Sequence, residues 1–384
     1  MSNVISKGTN LPTQIVEEMF NAVRGNSAIA KLSQQKPIPF NGITEMVFTM
    51  DHEASIVGEN AAKVNGGAAA TPVIVRPYKF EYGTRVSDEF LYGTEEYRMS
   101  VLRTFAEGAA RKFAKGLDIA AFHGFNPYSG AASAVVGNNH FDYAVSNIVA
   151  FDPATPRACV RGAVKLVQTV GAEVTGIAYA PDMSDALANE VTNGIPANRE
   201  FYDSLKPDMF LGVPAAVNQT VNNGLYDMAV AGDFSAFRWG YAKEIPLEVI
   251  EYGNPDNDAD AGDLKGHNQV YLRSEAYIGW GILVPNFFSL IKTTPVLALA
   301  SVAGTNSGDT KITVTPTKGT GNSYYYYVGT AAEKVLYGQD VTDGSTWDGS
   351  ADITAATGKI LTLVEADSNG KALKVGTVTV TAHA

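Results

Sequence analysis

The sequence contains a single cysteine, Cys159, which excludes an intrachain disulfide and a metal site with several cysteine ligands. It has no apolar run approaching the roughly 18 residues that a membrane-spanning helix needs. The N-terminal segment MSNVISKGTN lacks the hydrophobic core of a signal peptide. These absences predict a soluble protein that is made in a cytoplasm and has no membrane partner.

Charged residues are also scarce, at 18% of the 384 residues, and their net charge is −11. An acidic balance of this size does not favour a nucleic-acid-binding face. The chain is long enough for two or three domains with hydrophobic cores. Few charges together with 37 glycines predict a protein that buries much of its surface against copies of itself.

Sequence signatures of enzymes are missing. The chain has no phosphate-binding G-x-x-x-x-G-K-[ST], no dinucleotide-binding G-x-G-x-x-G and no G-x-S-x-G nucleophile turn. The histidines are scattered without an H-x-x-x-H pair, at His52, His123, His140, His267 and His383. We therefore predict that the protein is not an enzyme and has no cofactor or metal site.

The most regular pattern spans residues 95–122 and predicts a helix roughly 40 Å long. Thr94 is suited to cap its first turn. Apolar residues then recur every four positions, at Tyr97, Val101, Phe105, Ala109 and Phe113. We expect Phe105 and Phe113 in the core of this helix. A second row, Arg103, Glu107 and Arg111, predicts ion pairs on its surface.

Upstream of this helix, two strand-like segments at residues 45–50 and 73–82 flank about twenty small, flexible residues. The pattern predicts a long β-hairpin whose extended tip, residues 63–70, includes Lys63 and Gly66. Such a hairpin has too little apolar area to fold alone, so we expect an arm that reaches onto a neighbouring molecule. Lys63 is a reactive or bridging lysine or, as we favour, an exposed solubilising one.

The rest of the front part alternates helical and strand-like segments, which predicts an α+β architecture. A polar arm over residues 1–10 is followed by a short amphipathic helix within residues 11–32. Further helices are expected at residues 157–170 and 182–190. Strands are expected at residues 176–181, 210–214, 228–231, 245–252, 269–273 and 277–285.

An acidic segment at residues 254–266 begins like a calcium loop, with Asp256, Asp258 and Asp260 at alternate positions. However, Ala261 stands where the turn needs glycine, and His267 stands where a bidentate glutamate belongs. We favour a solvated acidic loop. A weak divalent-ion site between subunits is the alternative.

The composition changes after residue 294, where no arginine follows and Thr, Gly, Ser and Asp dominate. Short strand-like segments separated by turns predict an all-β immunoglobulin-like sandwich over residues 295–384. Four consecutive tyrosines occupy residues 324–327, and strand alternation puts two rings in the core and two outside. A carbohydrate-binding aromatic surface is the less favoured alternative.

Six short blocks follow one another in a specific order. They are VSDEF at residues 86–90, GLDIAAFHG at 116–124, YAPDM at 179–183, LGVP at 211–214, AGDFSAF at 231–237 and RSEAY at 273–277. Together with the predicted arm, hairpin and long helix, these blocks resemble the major capsid proteins of tailed phages, which have the Hong Kong 97 type fold. The resemblance covers residues 11–292.

The resemblance implies a division of the chain along the lines of that fold. Its parts are an N-terminal arm and short helix (1–46), an E-loop hairpin (47–82), a P-domain with a spine helix (83–177), an A-domain (178–268), a return to the P-domain with a linker (269–294) and the immunoglobulin-like domain (295–384). Lys63 and Gly66 then belong to the E-loop tip, and Asp256, Asp258 and Asp260 to an axial loop.

The resemblance also implies a structural function. The subunits are expected to assemble in the host bacterial cytoplasm into pentamers and hexamers of an icosahedral shell, which encloses double-stranded DNA in the virion. An acidic inner surface would keep contact with the DNA loose and non-specific. Implied partners are a portal and decoration proteins, and the C-terminal domain resembles those displayed outside some shells for weak adhesion.

Two departures from the family pattern affect these expectations. Many relatives begin with a long scaffolding segment that is later cleaved, whereas only residues 1–10 precede the first predicted helix here. We therefore expect a separate scaffolding protein, or none. Some relatives cross-link an E-loop lysine to a neighbour's asparagine, but no partner asparagine or catalytic glutamate is identifiable for Lys63, so we predict no cross-links.

Two other functions are compatible with parts of the pattern. An encapsulin-like cellular compartment shares the fold, although the C-terminal sandwich argues against it. A hydrolase with an accessory sugar-binding sandwich is the second alternative. It needs a clustered pair of acids, and no spacing in the sequence requires one.

Overall fold

A computed structural model describes residues 26–62, 65–204, 206–243 and 247–384. The predicted arm over residues 1–10, most of the helix predicted within residues 11–32, and Lys63 lie outside these ranges. Among the described helices, none is both long and apolar enough to cross a membrane.

The described helices are short except for one of 29 residues and one of 14 residues. In chain order they are α1 (Ala28–Leu32), α2 (Glu89–Tyr92), α3 (Glu95–His123), α4 (Phe141–Ala144), α5 (Pro156–Thr169), α6 (Pro181–Asn189) and α7 (Arg199–Asp203). Short 3₁₀ turns lie at Gln219–Val221, Phe234–Ala236, Lys265–His267 and Pro285–Phe287.

Strands make up most of the remaining regular structure. They are β1 (Ile43–Met50), β2 (Ala68–Ser87), β3 (Ile148–Ala150), β4 (Gly176–Tyr179), β5 (Val191–Thr192), β6 (Ile195–Pro196), β7 (Met209–Phe210), β8 (Val213–Val217), β9 (Asp227–Gly232), β10 (Phe237–Lys243), β11 (Leu247–Ile250), β12 (Gln269–Ile282), β13 (Phe288–Lys292), β14 (Ala298–Ala303), β15 (Asp309–Thr315), β16 (Ser323–Gly329), β17 (Ser345–Trp347), β18 (Ile353–Thr354), β19 (Ile360–Ala366) and β20 (Ala372–Thr379).

The front part of the chain contains two main sheets. One has the order β1-β2-β12-β10, with β11 paired to β12 beside β10. The other has the order β3-β13-β9-β4-β8-β7 and mixes parallel with antiparallel pairs. Strands and helices alternate along this part, and the predicted α+β class is confirmed.

Helix α3 forms where the sequence predicts it, one residue longer than expected. The Thr94 side chain accepts a hydrogen bond from the Tyr97 amide, and Gly124 ends the helix in the left-handed conformation. Burial increases along its length, because Tyr97 is 56% exposed whereas every residue from Gly116 to Gly124 is buried. The second half of α3 packs in one apolar cluster with side chains of both front sheets.

Helix α5 and helix α6 pack in a second apolar cluster with strands β4, β8 and β9 of the six-stranded sheet. Side chains of the same sheet also join the cluster around α3, which includes Ala178, Val230 and Leu290. Adjacent strand residues point to opposite faces, so the sheet separates α5 and α6 from α3. This layering explains why its central strands are buried along their whole length.

One sequence-based expectation, on the number of strands over residues 269–285, differs from the structure in this part. The two strands expected at residues 269–273 and 277–285 are one continuous strand, β12, because its alternating burial runs through Ser274, Glu275 and Ala276. Strands β10 and β11 pair with β12 in the sheet that contains β2, not with β4, β8 and β9. The region expected to form one A-domain, residues 178–268, therefore contributes strands to both sheets.

The C-terminal part, from β14 onward, is all-β. Its three-stranded sheet β14-β15-β18 and four-stranded sheet β17-β16-β19-β20 share one apolar cluster, which includes Leu297, Ile312, Leu361 and Leu363. The expectation that two of the four tyrosines lie outside is wrong. Tyr324 and Tyr326 join this cluster, while Tyr325 and Tyr327 pack in a second cluster on the other face.

A buried carboxylate connects α3 to the start of the described chain. Asp118 is fully buried and accepts hydrogen bonds from the Ser27 hydroxyl (2.5 Å), the Ala28 and Ile29 amides (2.8 and 3.3 Å) and the Thr220 hydroxyl (2.7 Å). Burial raises the pKa of Asp118 to about 6, against the opposing effect of these donors. One side chain therefore holds α1 and the 3₁₀ turn after β8 against α3.

Removing this carboxylate should destabilise the front part of the protein. Asp118→Ala leaves two hydroxyls and two amides unpaired in a dry environment, which should lower the free energy of unfolding by about 3 kcal/mol or more. The measurement is denaturant unfolding followed by the fluorescence of Trp239 and Trp280, which lie in the same cluster as α3. The matched control is Asp185→Ala on the exposed side of α6. Equal effects of the two substitutions would contradict the role given to Asp118.

Candidate functional site

The hairpin formed by β1 and β2 extends beyond its sheet as a two-stranded arm. Strand β2 pairs with β12 over Arg76–Ser87 and with β1 over Ala68–Val75, so within the described part of the chain the arm has no third strand. Its apolar side chains are exposed, at Met46 (51%), Phe48 (66%), Met50 (71%) and Ile74 (53%). A two-stranded ribbon with such side chains in water is only marginally stable by itself.

The tip of this arm is closed by a polar contact. The Gly67 amide donates to the Asp51 carboxylate at 2.8 Å, and the Asp51 amide donates to the Gly67 carbonyl at 3.1 Å. A Cβ atom on Gly67 would lie 2.8 Å from the Asp51 carboxylate, so glycine allows this close approach. The predicted tip residue Gly66 lies beside the His52 ring, and Lys63 is outside the described residues.

The predicted residues of α3 lie on its two sides. Phe113 is buried in the main cluster, and Phe105 is half-buried between that cluster and the one around Phe90. Arg111 and Glu107 form an exposed ion pair at 3.8 Å, and Arg103 is exposed on the same side of the helix. An exposed pair of this kind contributes little to stability, roughly 0.3–0.5 kcal/mol.

The acidic loop lies against the end of β2. The side chain of Arg85, near that end, extends into the centre of the loop. The Arg85 guanidinium donates to both oxygens of Asp256 (2.5 and 2.8 Å), to Asn254 Oδ1 (2.7 Å) and to Gln269 Oε1 (3.2 Å). It also donates to the carbonyl oxygens of residues 261 and 262. Six oxygen atoms thus surround one internal cation, and the hydrogen bonds lower the pKa of Asp256 to about 2.

The other two predicted carboxylates of this loop have different positions. The Asp258 carboxylate accepts from the amides of Asp260 and Ala261, at 2.9 and 3.0 Å, and so stabilises a turn. Asp260 is exposed. The structure therefore does not bring Asp256, Asp258 and Asp260 together around one point. The loop is exposed, as expected, but its main carboxylate is engaged with Arg85.

A second group of charges is buried where α3 ends. His123 Nδ1 lies 2.8 Å from Asp142 and 3.5 Å from Asp227. Lys292 Nζ lies 2.7 Å from Asp142 and 3.2 Å from Asp227. The four side chains come from α3, α4, β9 and β13. This buried charge cluster therefore joins the long helix to the six-stranded sheet.

His123, Asp142 and Asp227 have ligand atoms close enough together to hold a metal ion. Two features oppose this use. Both ring nitrogens of His123 face acceptors, the Thr220 carbonyl at 3.0 Å from Nε2 and the Asp142 carboxylate at 2.8 Å from Nδ1, so the imidazolium, which has no free lone pair for a metal, satisfies both. In addition, the Lys292 ammonium already lies between the two carboxylates. The cluster has the composition of a buried ion-pair network.

The electrostatics of the cluster support this assignment. Burial opposes the charged form of His123 and of Lys292, but the neighbouring carboxylates overcome this effect and raise both pKa values. Contacts with His123 and Lys292 lower the pKa of Asp142 despite its burial. Burial, together with the nearby Asp142, raises the pKa of Asp227 to about 7. Lys292 is therefore charged at neutral pH, the charged form of His123 is favoured, and the pKa of Asp227 lies near neutrality.

Sequence reasoning missed Arg85, Asp118, His123 and Lys292 as connecting residues. His123 is one of the five scattered histidines, and both of its ring nitrogens have hydrogen-bond partners in the core. A usable signal was present in the GLDIAAFHG block, where an aspartate and a histidine stand among small and apolar helical residues. Their partners lie 19 to 104 positions away in sequence, so spacing could not identify them.

The Arg85 arrangement predicts that the loop depends on an internal cation. Arg85→Ala should leave the oxygen cage uncompensated, so that the amides of residues 253–263 exchange faster with deuterium. Millimolar calcium should slow this exchange again in the variant but not in the wild-type protein, because calcium accepts the same oxygen ligands. Exchange in Arg85→Ala that is as slow as in wild type without calcium would contradict this account.

The charge cluster predicts a pH-dependent defect. Lys292→Met should lower the free energy of unfolding by about 3 to 5 kcal/mol at pH 8, because two buried carboxylates lose their ammonium partner. The defect should be smaller at pH 6. The pKa of Asp227 is raised above its unfolded value, so its contribution to stability is present at low pH and is lost as pH rises through about 7.

The matched control for this experiment is Lys334→Met. Lys334 also pairs with an aspartate, Asp152 at 2.9 Å, but its side chain is 61% exposed. This substitution should change the free energy of unfolding by less than about 1 kcal/mol. Denaturation at several pH values measures both variants. A Lys292→Met defect that does not shrink toward pH 6 would show that Asp227 is not the titrating group.

Comparison with known structures places this fold among phage capsids. A structure from Mycobacterium phage Ogopogo has a TM-score of 0.60 and 30% sequence identity, over 70% of this chain and 92% of the other. One from Gordonia phage Cozz has a TM-score of 0.58 and 26% identity, over 70% and 86% of the two chains. The capsid of an empty GTA particle shares the fold at a TM-score of 0.50 and 13% identity, over 70% and 89%.

The C-terminal part has a different relative. The family of the S-layer protein SbsC C-terminal domain matches residues 302–383, which lie within the all-β part of the chain. No curated protein sequence matches the chain. The phage structures and the block order in residues 11–292 agree on the front part. The chain belongs to the family of phage major capsid proteins.

Proposed function

We propose that this protein is the subunit of an icosahedral shell and assembles into pentamers and hexamers around double-stranded DNA. The observation that carries this proposal is the two-stranded arm with its exposed Met46, Phe48 and Met50. These side chains contribute favourable free energy of burial only when another surface covers them and removes them from water. In a closed shell the neighbouring subunit supplies that surface, and each arm in turn covers part of the subunit beside it.

The arm corresponds to the E-loop in this proposal. The two pairings of β2 support this assignment, because the same strand continues from the five-stranded sheet of one subunit into the free ribbon. At about 3.3 Å per residue, the ribbon from Val75 to Ala68 reaches about 25 Å beyond the sheet. That length is sufficient to cross onto an adjacent molecule. Interfaces of this obligate kind bury roughly 2,000 Å² or more.

Other parts of the chain take the remaining positions of the Hong Kong 97 type fold. Helix α3 corresponds to the spine helix of the P-domain, and the six-stranded sheet with α5 and α6 forms the centre of the A-domain. Because β10 and β11 join the sheet of β2, the A-domain boundary in this proposal falls before residue 237. The acidic loop then belongs to the P-domain side, and not to the capsomer axis.

We further propose that the C-terminal sandwich, of immunoglobulin-like type, lies outside the shell and makes weak adhesive contacts. Its similarity to a domain of an S-layer protein supports a role at surfaces. A single chain segment, residues 293–297, connects it to β13, and an exposed ion pair between Lys334 and Asp152 lies near that connection. Portal, scaffolding and decoration proteins complete the proposed virion.

The arm gives a direct test of assembly. Deleting residues 60–70 should leave folded subunits that do not form shells, because it removes the tip while the five-stranded sheet remains. Sedimentation and negative-stain electron microscopy measure assembly, and circular dichroism confirms the fold. Closed shells from the deletion variant would refute the role of the arm.

A substitution pair separates the apolar contact from the length of the arm. Phe48→Ser should reduce shell formation strongly, because it removes the largest exposed apolar side chain among the residues paired in β1. Tyr128→Ser is the matched control, since Tyr128 is 98% exposed but lies in the loop after α3. It should assemble like wild type. A loss of assembly in both variants would show that assembly depends on exposed apolar side chains in general and not on the arm.

A further inference from the structure

The exposed side of α3 carries a local excess of positive charge. Between residues 103 and 115, its charged side chains are Arg103, Glu107, Arg111, Lys112 and Lys115. Four basic groups and one acidic group give a net charge of +3, in a chain whose total is −11. The other acidic residues of this helix are Glu95 and Glu96 in its first turn and the buried Asp118. This basic face spans about 18 Å of helix.

A glycine lies in the middle of the basic face. Gly108 is half-buried in the helix interior, where glycine costs up to about 1 kcal/mol relative to alanine. Outside its own helical turn, no atom of the described residues lies within 4 Å of the position that its Cβ would occupy, so packing against the described part of the chain does not require glycine there. Gly116 is different, because its Cβ would lie 3.0 Å from the Phe80 ring.

The neighbours of Gly108 on the helix surface are the basic residues. Arg111 and Lys112 follow it by three and four positions, and residues at these spacings lie side by side on a helix. Thr104 precedes it by four positions, and its hydroxyl is turned back to the Ser100 carbonyl at 2.9 Å. The face therefore has small side chains at its centre and long cationic side chains beside them. This arrangement allows an anionic chain to approach the helix backbone.

We propose that this face of α3 binds the sugar–phosphate backbone of double-stranded nucleic acid. The inference rests on the proposed shell function, in which such a polymer is enclosed. Arginine and lysine contacts to phosphate are independent of base sequence, as expected for packaged DNA. The net charge of the chain, −11, keeps the total affinity low.

The test uses two variants with the same residue types and spacing. Arg111→Gln/Lys115→Gln changes the proposed face, and Arg161→Gln/Lys165→Gln changes an equivalent exposed pair on α5. Binding of a fluorescent DNA duplex to purified protein is measured against salt concentration. Each phosphate contact contributes about 0.9 to the slope of log K against log salt, so the first variant should lower the slope by nearly 2. The α5 variant should match wild type.

Two results would overturn the proposal. One is a slope that is unchanged in the α3 variant. The other is an equal loss in the two variants, which would show that binding depends only on total charge. The exposed Arg111–Glu107 pair contributes little to stability, so thermal denaturation should show that both variants fold like wild type.

Gly108 provides an independent measurement. Gly108→Leu meets open space within the subunit, and leucine favours the helix, so the variant should be at least as stable as wild type. Its bulk should nevertheless keep the phosphate backbone away from the helix and weaken duplex binding several-fold. Wild-type affinity in this variant would contradict the proposed approach to the helix.

Electron microscopy distinguishes this inference from the proposed function. The Arg111→Gln/Lys115→Gln variant should still form shells like those of wild type, since the face is directed to nucleic acid. If it loses assembly but keeps duplex binding, the face contacts a second copy of the chain and the inference is overturned. If wild-type protein binds the duplex through this face but never forms shells, the shell proposal fails while the inference stands.

Discussion

The structure depends on the burial of a helix end that is not wholly apolar. From Gly116 to Gly124, α3 is surrounded by side chains, so Asp118 and His123 must find partners inside the core. Asp118 holds the start of the described chain, and His123 holds Asp142 and the Thr220 carbonyl. Segments far apart in sequence are therefore fixed to one helix by a few hydrogen bonds with strict geometry.

The arm, in contrast to the end of α3, has side chains that find no partner within the described part of its own subunit. The core satisfies its buried charges within one subunit, whereas β1 and the first half of β2 leave Phe48 and Met50 exposed. In the shell that we propose, a rigid centre with an exposed extension lets a subunit keep its own fold while its arm contacts a neighbour. The basic face of α3 is a third surface, which we propose contacts a polyanion, separate from the buried core and from the exposed arm.

The sequence was sufficient where local rules determine the structure. The period of α3, its Thr94 cap and the alternating strands of the arm predicted their elements within a few residues. It was insufficient where distant residues meet. The Arg85 cage joins residues up to 184 positions apart, and no spacing in the acidic loop indicates a guanidinium at its centre. The four tyrosines were misassigned because both faces of β16 are covered, which depends on a later segment of the chain.

The central claim is that a neighbouring subunit covers the exposed apolar side chains of the arm. Electron cryomicroscopy of the protein, expressed alone and then with the neighbouring genes of its source, tests it most directly. The account predicts closed shells or capsomer rings in which Phe48 and Met50 of each copy lie against an adjacent copy. Assemblies in which these side chains face solvent, or arms that fold back onto their own subunit, would contradict it.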